Sequence, residues 1–354
     1  MLVLARESRG LSQGDFATEL DVAQAYVSRV ESGLQNISED MLEKAAEKLR
    51  YPVNFFYQSD NVWGVGSPCN YHRKRDSLLM RDWYKLTAKL NILRLHITRL
   101  LRAVQIESQF EFKLYDVDED GGPERIAKLV RRDWAIKPGP VSNLISAIER
   151  AGGIVFKTPF GTEKLDAISQ WLPGEPPIFL VNSEVSGDRL RFTLAHEVGH
   201  MILHTKFLSE DAEREADRFA SEFLMPAADI GHQLNSLTVK KAATNLKPYW
   251  KVSIAALLFR AKELRKITGQ QYVNQQKLIS YYGYRKHEPV LIPQEEPVVL
   301  PKVLDLFLNE QKHSSEELSS MLAIHEEEFK DMYFPGQLRL LSGGRIALKR
   351  SAVG

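Results

Sequence analysis

A single cysteine, Cys69, stands among 354 residues, so an internal disulfide is impossible and nothing in the thiol content calls for an oxidising compartment. No apolar run reaches membrane-spanning length, and Met1-Leu-Val-Leu-Ala-Arg-Glu7 meets charge too early for the apolar core of a secretory signal. A cytoplasmic location and no membrane partner are expected. An excess of either charge is also lacking, since 47 Lys+Arg against 46 Asp+Glu leave a net +1. There is no low-complexity tract, and no internal repeat is visible. What is present is an ordinary globular composition, 44% hydrophobic and 26% charged, in a chain long enough for two or three domains.

The charges are unevenly placed. Residues 1–60 carry six Lys/Arg (Arg6, Arg9, Arg29, Lys44, Lys48, Arg50) against ten Asp/Glu, while residues 71–105 carry nine Lys/Arg against Asp76 and Asp82. The basic stretch, which includes Arg73-Lys74-Arg75, therefore lies beside the acidic N-terminal segment.

Four regions are expected. Residues 1–60 read as a compact helical domain, with Phe16, Leu20, Val22, Val27, Val30, Leu42 and Leu49 at helical spacing. Residues 61–120 hold a linker around Ser59 to Ser67 and one long amphipathic helix. In that helix Leu79, Trp83, Leu86, Leu90, Leu93, Ile97, Leu100 and Val104 alternate at steps of four and three. Such a seam suits self-association as a homodimer, or packing within the chain. Residues 121–230 are mixed, with strands at 154–156, 166–172 and 177–182 and helices at 189–203 and 212–224. Residues 231–354 are mostly helical, over 238–267 and 300–334.

The chemistry concentrates in Thr193-Leu-Ala-His196-Glu197-Val-Gly-His200. Residues four apart share a helix face, so His196 and His200 can offer imidazole nitrogens to one metal, with Glu197 beside them. Bound zinc lowers the pKa of its water toward about 7, and Glu197 is then the base that accepts the proton. A catalytic zinc needs a third protein ligand, and Glu213 on the next helix supplies one. Asp217, four residues on, reaches a histidine from behind. Glu215 is read as a solvated helix charge. His204 is a competing ligand, but a straight helix drifts about 80° over eight residues and carries it off the metal, leaving a packing or substrate-side role.

The string Arg191-Phe-Thr-Leu-Ala-His-Glu-Val-Gly-His-Met-Ile-Leu-His204, with Glu213-Arg-Glu-Ala-Asp-Arg-Phe-Ala220, Phe223-Leu-Met-Pro226, Gly139-Pro140 and Asp166-Ala-Ile-Ser169, resembles the ImmA/IrrE family of metallopeptidases. The resemblance implies a small α+β, zincin-like domain within a mainly α chain. It also implies Zn2+ on His196, His200 and Glu213, and cleavage of a repressor or other regulatory protein. The segment Ile178 to Val181 would be the edge on which an extended substrate pairs.

Leu11-Ser12-Gln13-Gly-Asp-Phe16-Ala17 and Val22-Ala23-Gln24-Ala-Tyr-Val27-Ser28-Arg29-Val30-Glu31-Ser-Gly33 resemble the XRE/Cro family of helix-turn-helix domains, a five-helix fold. Double-stranded DNA is the implied partner. Gln24, Ala25, Ser28 and Arg29 then face the bases, and Gln13 clamps a phosphate. The segment His313 to Ile324 faintly echoes a second such turn. The main expectation is a DNA-binding regulatory zinc metalloprotease. The alternative is a transcriptional regulator or antitoxin-like protein, with a toxin-like partner, that uses the peptidase fold as a sensor without cutting.

Overall fold

The computed structural model describes residues 1–59, the backbone of 70 and 71, and residues 79–104, 106–205 and 209–335. Most of the expected linker, Cys69 and Arg73-Lys74-Arg75 lie outside the described residues. The chain divides into two compact units, one formed by residues 1–62, 91–104 and 301–354 and the other by 63–90 and 105–300.

The first unit opens with α1 (Leu2–Ser8), α2 (Gln13–Leu20), α3 (Gln24–Glu31) and α4 (Glu39–Leu49), followed by a 3-10 turn at Val53–Phe55. Four α-helices and this turn stand where five helices were expected. Local chemistry sets the boundaries. Ser12 and Asp15 form a reciprocal capping box at the start of α2, and Asp21 ends it in the left-handed region at φ 57°. Phe16, Ala17, Leu20 and Val27 are buried at the α2–α3 corner. Beneath them, the buried Arg6 guanidinium donates to both carboxylate oxygens of Glu31, at 2.6 and 3.0 Å.

Helix α5 (Met80–Ala103) contributes to both units. Trp83, Leu86, Leu90, Leu93, Ile97 and Leu100 on the heptad seam are at most 3% exposed. Thr87, Ala88, Asn91, Ile92, Arg94, Leu95 and His96 on its other faces are buried too. The seam is covered within the chain, the second of the two packings that the spacing allows.

The second unit is built on helices and a four-stranded sheet. In chain order they are β1 (Asn70–Tyr71), α6 (Pro123–Asp133), α7 (Leu144–Arg150), β2 (Ile154–Thr158), β3 (Ala167–Gln170), β4 (Ile178–Asn182), α8 (Gly187–His204) and α9 (Ala212–Leu224). There follow α10 (Ala227–Ile230), α11 (Val239–Lys241), α12 (Lys247–Trp250), α13 (Ile254–Glu263) and α14 (Gly269–Tyr281). A π-helical turn at 242–246 and a left-handed Lys251 divide the expected helical region over 238–267 into short helices. The strand order is β1-β3-β4-β2, with β4 parallel to β2 and antiparallel to β3. The core runs from Ile126 and Val130 of α6 through Val155, Phe179 and Val181 of the sheet to Leu194, Val198, Phe219 and Phe223 of α8 and α9.

Buried ion pairs fasten this unit. Lys247, 1% exposed, bonds Asp188 at the start of α8 and Glu288 at 2.7 Å, and the same Glu288 caps the backbone N–H of Ile254. Burial pushes the Glu288 carboxyl up, against the pull of Lys247. Lys247→Met strands both carboxylates, and the expected cost is on the order of 3 kcal/mol in denaturant unfolding of the unit. An unchanged midpoint would show that the pair carries little.

Helix α15 (Val299–Asp305) begins at the end of the second unit, and with α16 (Ser315–Leu322) and α17 (Glu326–Tyr333) it completes the first. Helices α16 and α17 repeat α2 and α3 feature by feature. Ser314 and Glu317 form a capping box as Ser12 and Asp15 do, and both first helices have eight residues. Ala323 turns left-handed at φ 55° where Asp21 does, and the second helix begins three residues later in each. Leu318, Leu322 and Phe329 are buried where Phe16, Leu20 and Val27 are. The faint echo at His313 to Ile324 is thus a true second helix-turn-helix, and the expectation of no internal repeat is corrected. The Glu328 carboxylate of this motif accepts from Nη1 and Nη2 of Arg9, at 2.7 and 2.8 Å, and Tyr333 bonds buried His96 at 2.7 Å.

Candidate functional site

Helix α8 is buried along almost its whole length and lies against β3 and α9. Its approach to α9 is set by Gly199, where an added Cβ would sit 3.2 Å from the Cα of Ala216 and 3.1 Å from the Phe219 ring. A side chain there would push α9 away. On α9 the apolar stripe Ala216, Phe219, Ala220 and Phe223 faces the core, and Pro226 lies just past the helix end, where it cannot continue the ladder. Arg131 bonds the carbonyls of Phe223, Lys137 and Gly139, tying the end of α9 to the loop that carries the Gly139-Pro140 signature.

This packing brings three donors together. His196 Nε2 and His200 Nε2 are 2.9 Å apart, and the Glu213 carboxylate lies 3.4 Å from the first and 3.2 Å from the second. Ligands about 2.0–2.1 Å from one zinc at the tetrahedral angle are separated by roughly 3.3–3.4 Å. The triangle therefore fits a single small cation. The histidines are at most 3% exposed, whereas the Glu213 side chain is 62% exposed, so one side of the cluster is open to solvent. Among the described residues this is the group of three or more His, Cys, Asp or Glu side chains placed to hold a metal ion.

Electrostatics agree with the geometry. Burial opposes charge on His196, but hydrogen bonds to Asp217 and Glu213 outweigh it and lift its pKa to about 9. Burial drives His200 down to about 4. Burial would raise the Glu213 carboxyl, yet its bonds to both imidazoles hold it far below the usual carboxylate range. The cluster is thus arranged around one positive charge, a proton on His196 when no metal is there.

Asp217 Oδ1 meets His196 Nδ1 at 2.9 Å, behind the nitrogen that faces the cluster. Glu197 is fully buried and one of its carboxylate oxygens accepts a 2.5 Å bond from Ser169 Oγ on β3. Ser169 was legible only as part of a family string; its contact with Glu197 depends on the sheet. One reading of the acidic neighbours changes. Glu215 is not a solvated charge, being 14% exposed and bonded at 2.9 Å to His204. His204 stays off the metal, as the helical drift requires, and of its two expected roles the interior one holds, since it is 2% exposed and turned away from any substrate. Its Nδ1 lies 3.1 Å from His200 Nδ1.

The substrate-edge assignment is overturned. Strand β4 pairs on both sides, with β2 and β3, so no substrate strand can add to Ile178–Asn182. The strand next to α8 is β3, and its outer edge pairs with the backbone of Asn70–Tyr71.

In the first unit, Gln24, Ala25 and Arg29 are exposed on α3, and Ser28 is half-buried beside them. Gln13 donates to Glu31 at 2.8 Å and accepts from Gln24 at 3.2 Å, so it ties α2 to α3, and Arg29 bonds Gln35 at 3.0 Å. In the second helix-turn-helix the matching positions are Glu326, Glu327, Lys330 and Asp331. That face repels phosphate rather than neutralising it.

Comparison with known families agrees with both halves. Residues 2–56 match the helix-turn-helix family, and residues 148–262 match a peptidase family described as the IrrE N-terminal-like domain. The chain thus joins a helix-turn-helix module to an IrrE-like peptidase-family domain. No curated protein matches the chain. Among the described residues no helix is long and apolar enough to cross a membrane.

Proposed function

We propose that the chain is a DNA-binding zinc metalloprotease that hydrolyses a peptide bond of a repressor or other regulatory protein. The observation that carries this is the His196–His200–Glu213 triangle with Glu197 adjacent on the same helix. A sensor needs the three ligands at most, whereas a carboxylate next to them is what hydrolysis requires. A zinc ion held there supplies Lewis acidity to the scissile carbonyl and acidity to a water. Glu197 takes the proton from the attacking water and passes it to the departing amine. Ser169 holds that carboxylate in one orientation, and Asp217 fixes the His196 ring.

Metal analysis of the purified chain, joined to intact-mass analysis of repressor proteins incubated with it, tests the reading. One equivalent of zinc and one discrete pair of fragments are expected. A chain that holds no metal, or that leaves every regulator whole, favours a binder that uses the peptidase fold without cutting.

DNA recognition rests on α3. Arg29→Ala is expected to weaken operator binding by about 1–3 kcal/mol and to relax preference at one base position, as removal of a guanine-reading side chain does. Binding measured against salt and a base-substitution panel checks it. A uniform loss across all sequences would make Arg29 a phosphate contact instead.

A further inference from the structure

We infer that Glu215 and His204 form a proton-ordered relay that holds His200 in its metal-ligating tautomer. The inference rests on the metal reading above and extends it to two residues outside the ligand triangle.

The argument is one of hydrogen-bond bookkeeping. A neutral imidazole that ligates through Nε2 must carry its proton on Nδ1. For His200 that N–H lies in the interior, where it needs an acceptor. His204 Nδ1 is 3.1 Å away. Two facing nitrogens can share only one proton, so if His200 donates, His204 Nδ1 is the acceptor and its own proton sits on Nε2. That nitrogen meets Glu215 Oε2 at 2.9 Å, and an ionised carboxylate only accepts. Every group in the row Glu215, His204, His200 is then satisfied in one proton arrangement.

The reverse arrangement fails at both ends for neutral rings. His200 would then carry its proton on Nε2, aimed into the cluster, and could not ligate. His204 Nε2 would present a lone pair to the lone pairs of Glu215. The Glu215 carboxylate therefore selects the tautomer, through His204. Helix α9 serves the site three times, with Glu213 in the triangle, Asp217 directly behind His196, and Glu215 behind His200 through an intervening ring. Acceptors placed behind metal-bound histidines commonly change metal affinity by about 10–100-fold when removed.

The test uses the full chain and Zn2+ or Co2+ alone, titrated against a competing chelator, with visible absorption of the Co2+ form as a second readout. Glu215→Ala and His204→Phe are each expected to lower affinity by about 10–100-fold and to broaden the Co2+ bands. The double variant should lose no more than the larger single loss, because both act on one row. Glu215→Gln, which keeps an acceptor of the same length, should recover most of the affinity and guards against a folding defect. Wild-type affinity in both single variants, or losses that simply add, overturns the relay and leaves the protease reading intact. Failure of the wild type itself to bind either ion removes that reading and the relay with it.

Discussion

Glu197→Gln is expected to keep one equivalent of zinc and to lose peptide hydrolysis by about 10²–10⁴-fold, the contribution of a positioned general base. The two properties separate because Glu197 lies outside the ligand triangle, which is closed by His196, His200 and Glu213. The substitution is nearly isosteric, and the amide oxygen can still accept from Ser169 Oγ, so the buried position is not left empty. What disappears is a group able to take a proton. The loss should fall on kcat, with KM little altered, since the carboxylate is used in the transition state rather than in binding. Metal analysis beside steady-state kinetics decides it. Retained activity in the metal-loaded variant would assign the base elsewhere.

Removing the third ligand, by Glu213→Ala, should empty the site at micromolar metal and abolish hydrolysis. Chelation of the wild type should do the same reversibly. Where the metal stands about a thousandfold above its dissociation constant it contributes about 4 kcal/mol, so chelation should lower the melting of the peptidase unit by roughly 10 °C. The pH dependence has a definite sign. With no metal His196 stays protonated up to about pH 9, so metal must displace a proton below that pH. Apparent affinity should rise by up to tenfold per pH unit toward about pH 9 and then level. The metal-free fold behaves oppositely. A histidine pKa raised from 6.5 to about 9 stabilises it fully below pH 6.5, and that contribution is lost as pH climbs through 9. The melting difference between loaded and stripped protein should therefore widen over that range, and a constant difference would mean that His196 is not the competing group.

Much of this site was legible in the sequence because helical periodicity alone puts His196 beside His200 and Glu213 beside Asp217. The bounds of α9 could be read from the apolar stripe and Pro226. The contributions of Ser169, His204 and Glu215 could not. Each depends on how one element lies against another, and a helix count that correctly turned Glu215 from the metal could not see which ring it would meet. The spacing of His204, four after His200, was the available signal. Strand β4 was recognised as a strand, yet its place between two neighbours is a matter of sheet order, to which an apolar run is blind. The heptad seam of α5 shows a related limit. Periodicity marks a face that will be covered without saying by what.

The second helix-turn-helix shows the same limit from the other side. Ser12 and Ser314, or Leu20 and Leu322, are among few identities between the two motifs. What they share is punctuation: a cap, a left-handed residue and three buried apolar positions. Those are requirements of a corner between two helices, and many residue types meet them.

Because the first unit joins α1 to α4 with helices that lie about 250 residues later in the sequence, the order of synthesis matters. The ribosome finishes every residue of the peptidase unit before it reaches Pro301, where the last part of the first unit begins. At synthesis speeds of about 5–20 residues per second, roughly two to seven seconds separate Leu300 from the end of α17. During that interval Arg9 and His96 await Glu328 and Tyr333. A nascent chain would thus hold its whole peptidase-family unit before the unit that carries the helix-turn-helix is fully assembled, and a premature stop codon near residue 300 would make that imbalance permanent.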